Sequence, residues 1–188
     1  MAIGKWCKFS LFIALVWSGI ANQAQARGAV LSAGAAYAPQ LSSDGHSYDI
    51  ATPFSLRGGY WFTIQKVNLE TYLEYQQYQI VDGADLLSIS RIHRELSIWA
   101  RYRIIEKWRA TPYVALGMGA SSDKIKTRFN GESAIDSQSP EFMLGGTGGV
   151  AIAIFYGIEA SLEGRISTAS TFQPNPLLQL GAYLGYRF

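Results

Sequence analysis

The 188-residue chain carries 16 lysines and arginines against 14 aspartates and glutamates, and 48% of its residues are hydrophobic. Two of these lysines lie in a predicted signal peptide, so the rest of the chain has 14 basic and 14 acidic side chains and no net charge. Because a chain without net charge has no long-range field to attract nucleic acid, we expect no nucleic-acid partner. The single cysteine, Cys7, lies in the same predicted peptide, which excludes disulfides and thiol chemistry from the mature protein.

Residues 1–26 have the organisation of a cleaved secretory signal peptide. Lys5 and Lys8 precede an apolar core, and Ala24 and Ala26 form a small-x-small cleavage site. The core has about 13 residues, fewer than the roughly 20 of a membrane-spanning helix, so we predict cleavage after Ala26 rather than an uncleaved anchor. Residues 27–188 then number 188 − 26 = 162, enough for one domain. No apolar run of 18 residues follows, so no transmembrane helix is predicted.

Alternation of apolar and polar residues predicts eight strands of roughly ten residues each in the mature chain. They cover residues 29–38, 53–62, 67–80, 91–104, 111–121, 140–152, 157–168 and 177–188. The facing of the first is ambiguous, because small residues occupy both of its sides. Short turns alternate with long polar loops near 39–52, 81–90, 122–139 and 169–176.

The two faces of the predicted strands indicate which way the sheet curls. One face is aliphatic and aromatic, whereas the charges share the other with Tyr, Trp, Ser and Gly. A soluble barrel of the lipocalin kind has its charges outside, so this pattern fits it less well. An even number of strands with alternating loop lengths is typical of membrane barrels with short periplasmic turns and longer extracellular loops. We therefore predict an all-β, eight-stranded antiparallel up-and-down transmembrane β-barrel over residues 27–188.

The charged face predicts a network of ion pairs inside the barrel. Facing lipid, each charge would cost about 2–4 kcal/mol at mid-bilayer, whereas inside the barrel acids and bases can pair. Side chains roughly fill the interior of an eight-stranded barrel, so we expect a salt-bridged plug and not a channel. The predicted network consists of Arg57, Glu70, Glu74, Glu95, Arg101, Arg103, Glu159, Glu163, Arg165 and Arg187. Trp99 shares this face and is predicted to pack in the plug.

Aromatic and basic residues predict the borders of the membrane. Aromatic residues near the strand ends that are predicted to face outward indicate aromatic girdles at the two membrane interfaces. They are Tyr60, Phe62, Tyr75, Tyr102, Tyr186 and Phe188. Arg94 is an outward charge near a loop, where it either snorkels to lipopolysaccharide phosphates, is a solvated rim charge, or marks a one-residue bulge. A basic rim for lipopolysaccharide phosphates, or an ordinary solvated surface, is predicted for Arg91, Arg94, Lys124, Lys126 and Arg128.

The last strand, residues 177–188, alternates strictly and ends in an aromatic residue. Its outward residues Leu184, Tyr186 and Phe188 resemble the closing strand of bacterial outer-membrane β-barrels, and the whole mature chain resembles the OmpA/OmpX-like small barrels. The resemblance implies a monomer in the outer membrane of a Gram-negative bacterium, in contact with lipid and lipopolysaccharide. It further implies recognition of the terminal strand by the barrel-assembly machinery, and a structural or surface-interaction role at the cell surface. The peptidoglycan-binding domain of OmpA has no counterpart in this sequence.

Two other functions stay open: a lipid A-modifying barrel enzyme and a narrow pore. The outer-membrane deacylase places His and Ser two apart on one strand, and this chain has no His-x-Ser. The palmitoyltransferase has a loop-one His and a loop-two Asp-Ser pair. Here His46 is in the first loop, and the second holds Asp82, Asp85 and Ser88 without an adjacent pair; Asp136-Ser137 lies on the third. We expect no catalytic site, no cofactor and no metal site, because no such constellation appears.

Overall fold

The computed structural model describes residues 25–37, 49–64, 67–84, 87–105, 109–129, 132–169 and 176–188. They form nine strands: β1 (Gln25–Tyr37), β2 (Asp49–Ile64), β3 (Val67–Ala84), β4 (Leu87–Arg103), β5 (Ala110–Phe129), β6 (Glu132–Ser137), β7 (Glu141–Phe155), β8 (Ile158–Thr168) and β9 (Leu177–Arg187). Within these ranges, no helix is long and apolar enough to cross a membrane.

Eight of the strands close into an antiparallel barrel, as predicted. The order is β4-β3-β2-β1-β9-β8-β7-β5, and β4 pairs with β5 to complete the ring. The seam between the first and last strands runs from the Val30–Arg187 pair to the Tyr37–Leu180 pair. It also settles the facing of β1, since Val30 is buried inside the barrel and Leu31 is exposed outside it. Closure leaves none of these eight strands with an unpaired edge inside a membrane.

The predicted loops 81–90 and 122–139 are wrong over most of their length, because the strands continue through them. β3 runs to Ala84 and β4 starts at Leu87, while β5 runs to Phe129 and β6 follows it. Polar residues occupy both faces of these extensions, and the sequence pattern therefore resembles that of loops. Outside the membrane both faces of a hairpin meet water, so the backbone ladder continues without an apolar side. Of the other two predicted loops, 49–52 is part of β2, whereas 39–48 and 170–175 lie outside the described residues.

The barrel is apolar outside and polar inside. Outward side chains such as Leu116 (75% exposed), Leu162 and Leu180 are open to the surroundings. Inward ones such as Glu74 and Gln76 have no exposed surface. In water this arrangement would leave the apolar surface unburied, whereas in lipid it is the favourable one. The structure therefore confirms the predicted transmembrane barrel.

The strands are staggered around the ring. A row of paired residues that leaves β1 at Ala26 and passes through every barrel strand returns to β1 at Tyr37. The row climbs 37 − 26 = 11 residues, one of which belongs to a bulge between Ala26 and Gly28. Ten residues of stagger over eight strands correspond to a strand tilt of about 40°. Along such rows, each step from β5 towards β2 descends by about 3 Å.

The outward face of β4 shows the height of the apolar band. From Leu96 to Ile104 every second residue is apolar, and Arg94 stands directly above this run. Arg94 and Ile104 are ten residues apart, about 25 Å along the axis of a barrel with this tilt. That height is typical of the lipid-facing band of membrane barrels. We call the end at Arg94 the upper end and the end with the short turns the lower end.

Candidate functional site

The ten side chains predicted for the interior all point into the barrel, and each forms an ion pair with another of the ten. They come from β2, β3, β4, β8 and β9. Strand alternation directs them inward, and the stagger brings residues of distant strands to the same height. Five acids and five bases cancel, so the network has no net charge.

Arg57 of β2 lies at the centre of this network. Its Nε donates to Glu74 Oε1 at 3.0 Å, and its two terminal nitrogens donate to the two oxygens of Glu163 on β8 at 3.0 and 2.5 Å. Glu74 also accepts a hydrogen bond from the Ser55 hydroxyl at 2.6 Å. Such a bidentate pair is geometrically specific as well as strong. Because β2 and β8 do not pair with each other, the bond crosses the lumen.

Arg165 of β8 spans the full diameter. It donates to Glu74 and Gln76 on β3, and β3 is four strands from β8 in either direction round the ring. Its Nη1 also donates to Glu95 on β4 at 3.3 Å. Glu95 is less well satisfied, since its Oε2 has no hydrogen-bond partner among the described residues. Arg165 therefore ties opposite walls of the barrel together.

A second group of charges lies nearer the lower end. Glu70 accepts from Arg101 at 3.1 Å and from Arg103 at 3.0 Å. Arg103 also donates to both oxygens of Glu159 on β8, at 2.8 Å each. Arg187 of β9 stands 3.9 Å from both Glu70 and Glu159. These contacts close the lumen at this height as well.

Aromatic rings fill the space between the charges. Arg57 stacks over Tyr183 with its guanidinium carbon 3.4 Å from the ring centre. Arg165 lies 4.3 Å above the Trp99 ring, which is 1% exposed. Such cation–π contacts stabilise an arginine that has lost its water. They are consistent with the predicted packing role of Trp99.

The interior cavity between Val30, Arg101 and Arg187 is small. It holds about 10 Å³, roughly the space of one water molecule. Arginine–carboxylate bonds cross the lumen both above it and beside it. Ion pairs therefore cross the described interior at several heights, as expected for a salt-bridged plug.

Near the upper end the structure adds a cluster that sequence reasoning missed. His93 Nδ1 is 2.6 Å from Asp123 Oδ1, Arg91 donates to the same carboxylate, and Tyr78 stacks on His93 at 4.5 Å. Asp123 falls within the predicted loop 122–139, but it lies on β5, directly opposite His93. The sequence does contain a signal for this position. Asp123 is two residues beyond the inward-facing Ser121, and residues two apart on a strand point to the same side.

The predicted basic rim separates into two parts. Arg91 faces inward and binds Asp123, so its assignment to the rim is wrong. Arg94, Lys124, Lys126 and Arg128 are exposed on the outward face. A bulge at Arg94 is also wrong, because β4 pairs with β3 and β5 there without a register shift. Arg94 Nε donates to Gln77 at 3.2 Å.

The predicted C-terminal signature faces outward at the lower end. Leu184, Tyr186 and Phe188 are 58%, 43% and 65% exposed, and the last two rings meet edge to face at 4.8 Å. The amide of Phe188 donates to the Ala29 carbonyl at 3.0 Å. The end of the chain is thereby held against β1.

The residues considered for lipid A chemistry do not form a described site. His46 and Asp85 lie outside the described residues, as do the side chains of Asp82 and Ser88. Asp136, and Ser137 after it, lie on β6 and are exposed. Across the described ranges, no group of three His, Cys, Asp or Glu side chains is arranged to hold a metal ion.

The sequence matches no protein-family model and no curated protein sequence. The fold, in contrast, is shared with solved structures. Neisserial surface protein A (NspA) is 16% identical with a TM-score of 0.57, over 87% of this chain and 99% of NspA. Ail, the attachment invasion locus protein of Yersinia pestis, is 19% identical with a TM-score of 0.55, over 86% and 99%. The N-terminal barrel domain of Pseudomonas aeruginosa OprF is 13% identical with a TM-score of 0.52, over 87% and 100%. The fold is that of the small eight-stranded outer-membrane barrels.

Proposed function

We propose that this chain is an outer-membrane protein that contacts molecules outside the cell through the strands that project from its upper end. The observation that carries the proposal is the length of β4 and β5. Their pairing continues for eight residue pairs, from Arg94–Ser122 to Leu87–Phe129, beyond the last β5–β7 pair at Ser121–Glu141. Eight residues of strand reach about 26 Å. A structure of this length beyond the lipid band serves no purpose in crossing the membrane.

The projecting strands offer a sheet edge to a partner. β6 pairs with β5 along one side, and within the described residues no strand pairs with its other side. The residues described along it are exposed, including Ile135 at 59%. A free edge presents backbone donors and acceptors to an incoming extended segment. We infer that the partner is a protein that adds a strand to β6.

Three observations support the location. The height of the apolar band fits a membrane barrel, the terminal strand has the signature implied for recognition by the assembly machinery, and the fold matches outer-membrane proteins. The name of Ail refers to attachment, which is a property of that protein and parallels the surface role proposed here. The salt-bridged plug favours this role over transport.

The proposal is tested by removing the projecting hairpin while leaving the barrel intact. Residues 124–137 are replaced by Asn-Gly, the residue pair favoured in two-residue hairpin turns. Such a turn can join Asp123 to Gln138 because the amide of Gln138 already bonds to the Asp123 carbonyl at 2.9 Å. The matched control is Tyr156→Asn, which creates the same Asn-Gly pair in the lower turn, where Tyr156 and Gly157 both have positive φ.

Both variants are expected to fold, shown by a shift in gel migration between unboiled and boiled samples. Bacteria with the hairpin deletion are expected to lose adherence to cultured cells, whereas the Tyr156→Asn bacteria keep it. Unchanged adherence with a folded deletion variant would contradict a surface role for these strands.

A further inference from the structure

We propose that the outward face of β2–β5 binds the phosphorylated lipid A part of one lipopolysaccharide molecule. Its phosphates would lie on Arg94 and Lys124, and one of its acyl chains in the groove around Gly58. This assignment rests on the proposed function, because the outer-membrane location places the upper end of the barrel in the lipopolysaccharide leaflet.

The headgroup site consists of two neighbouring cations. Arg94 pairs with Ser122, so Lys124 is its diagonal neighbour on the same face, about 7–8 Å away. Both are exposed, and within the described residues neither forms an ion pair with a carboxylate. Gln77 accepts from Arg94 at 3.2 Å and from Tyr75 at 3.0 Å. This neutral partner orients the guanidinium without cancelling its charge.

The cations lie where lipid headgroups lie. Leu96 is the next outward residue below Arg94. Along the row of pairs through Leu96, Phe142 lies about 6 Å above Leu96 and Tyr75 about 3 Å below it, so aromatic side chains flank this level, as at a membrane interface. Above Lys124 the same face continues with Lys126 and Arg128. A row of cations that begins at the border suits a headgroup with more than one phosphate, which is the chemistry of lipid A.

An apolar groove lies below the cations. It holds about 770 Å³ on the outward surface of β1–β4 and extends to Ile158 of β8 and to residues 184–186 of β9. Gly58, which has no side chain, is among the residues that line it. A Cβ there would meet Leu31 at 3.3 Å. The walls include Leu31, Leu56, Leu73, Tyr75 and Leu96. The surface can take up an acyl chain between these side chains.

The tilt of the strands places the groove directly below the cations. The row from Arg94 through Gln77 to Phe54 descends about 6 Å, and four residues of β2 from Phe54 to Gly58 descend about 10 Å more. The sideways components of the two steps cancel. Gly58 is therefore about 16 Å below Arg94, close to the roughly 15 Å of hydrocarbon in one leaflet. One lipid molecule spans both features.

The test measures lipid binding to the folded protein by native mass spectrometry in non-ionic detergent. The probes are lipid A, dephosphorylated lipid A and phosphatidylglycerol. The variants are Arg94→Gln with Lys124→Gln for the headgroup site, and Gly58→Leu for the groove. Their controls are Arg109→Gln, an exposed arginine at the lower end, and Gly148→Leu, an outward glycine with no atom within 4 Å of an added Cβ. Gel migration verifies folding of each protein.

The Arg94→Gln/Lys124→Gln variant is expected to bind lipid A about tenfold more weakly than the wild-type protein, and Gly58→Leu several-fold more weakly. Both control variants are expected to stay within about twofold of the wild-type affinity. Dephosphorylated lipid A and phosphatidylglycerol are expected to bind more weakly than lipid A. Equal binding of all three lipids, or equal losses in the variants and their controls, would overturn the proposal. The measurement is independent of adherence, so a failure here is distinguishable from a failure of the surface role.

Discussion

Replacing Glu74 with glutamine removes the negative charge that Arg57 and Arg165 share at the centre of the barrel. Glu74 is fully buried and bonds to both arginines and to Ser55. Glutamine has nearly the same shape, so the variant changes charge with little change in packing. Arg57 keeps Glu163 and Arg165 keeps Glu95, but five bases then face four acids. Breaking a buried pair by removing one partner costs about 3–5 kcal/mol, and we expect a loss of this size.

Glu95→Gln is the matched control. Glu95 is equally buried, yet it has one bond to Arg165 at 3.3 Å, one to Ser97 at 3.0 Å, and an oxygen without a described partner. A loss of less than about 2 kcal/mol is expected for it. The double variant Glu74→Gln/Arg165→Gln restores the charge balance, so its loss is expected to be smaller than the sum of the two single losses.

The assay is urea unfolding of the protein in phospholipid vesicles, followed by tryptophan fluorescence. Trp99 lies in the plug against Arg165 and reports on its disruption. The free energies of unfolding are compared between variants that show the same slope of free energy against urea concentration. A difference between them then reflects stability. Equal losses for Glu74→Gln and Glu95→Gln would refute the reasoning that the shared carboxylate ties opposite walls of the barrel together.

Three further predictions concern packing, lipid and transport. Gly117→Ala is expected to cost about 1–3 kcal/mol in the same assay, because a Cβ there would meet the Trp99 ring at 2.3 Å, whereas Gly148→Ala, with open space, is expected to be neutral or slightly stabilising. Leu116→Arg, near mid-bilayer, is expected to cost about 2–4 kcal/mol in vesicles; no loss would contradict the proposed membrane position. In planar bilayers the unchanged protein is expected to show no reproducible single-channel conductance, since ion pairs cross its lumen, and regular conductance steps would contradict the plug.

Alternation along the chain was sufficient to assign most residues to a face. Inward Arg57 and Glu74 and outward Leu116 follow from a period of two, because neighbouring side chains of a strand point to opposite sides. The antiparallel order follows from another local feature, the alternation of short turns and longer connections between consecutive strands. Side-chain alternation does not assign the faces of β1, where small residues give no contrast. It also does not show that β5 continues past Ser121, because polar residues on both faces around Asp123 resemble a loop.

The pairing of particular charges depends on closure and stagger. Arg57 and Glu163 are 106 residues apart, and they meet because the closed ring brings β2 and β8, three strands apart, round one lumen at the same height. A different stagger would keep every residue on its face but change the partners that meet across the lumen, whereas pairs on adjacent strands, such as Arg57–Glu74, would remain. The same holds for Arg94 and Gly58, which share a vertical line only because the strands tilt. The inward and outward faces are a local property of the chain, whereas the plug, the projecting strands and the lipid site arise from how the sheet closes.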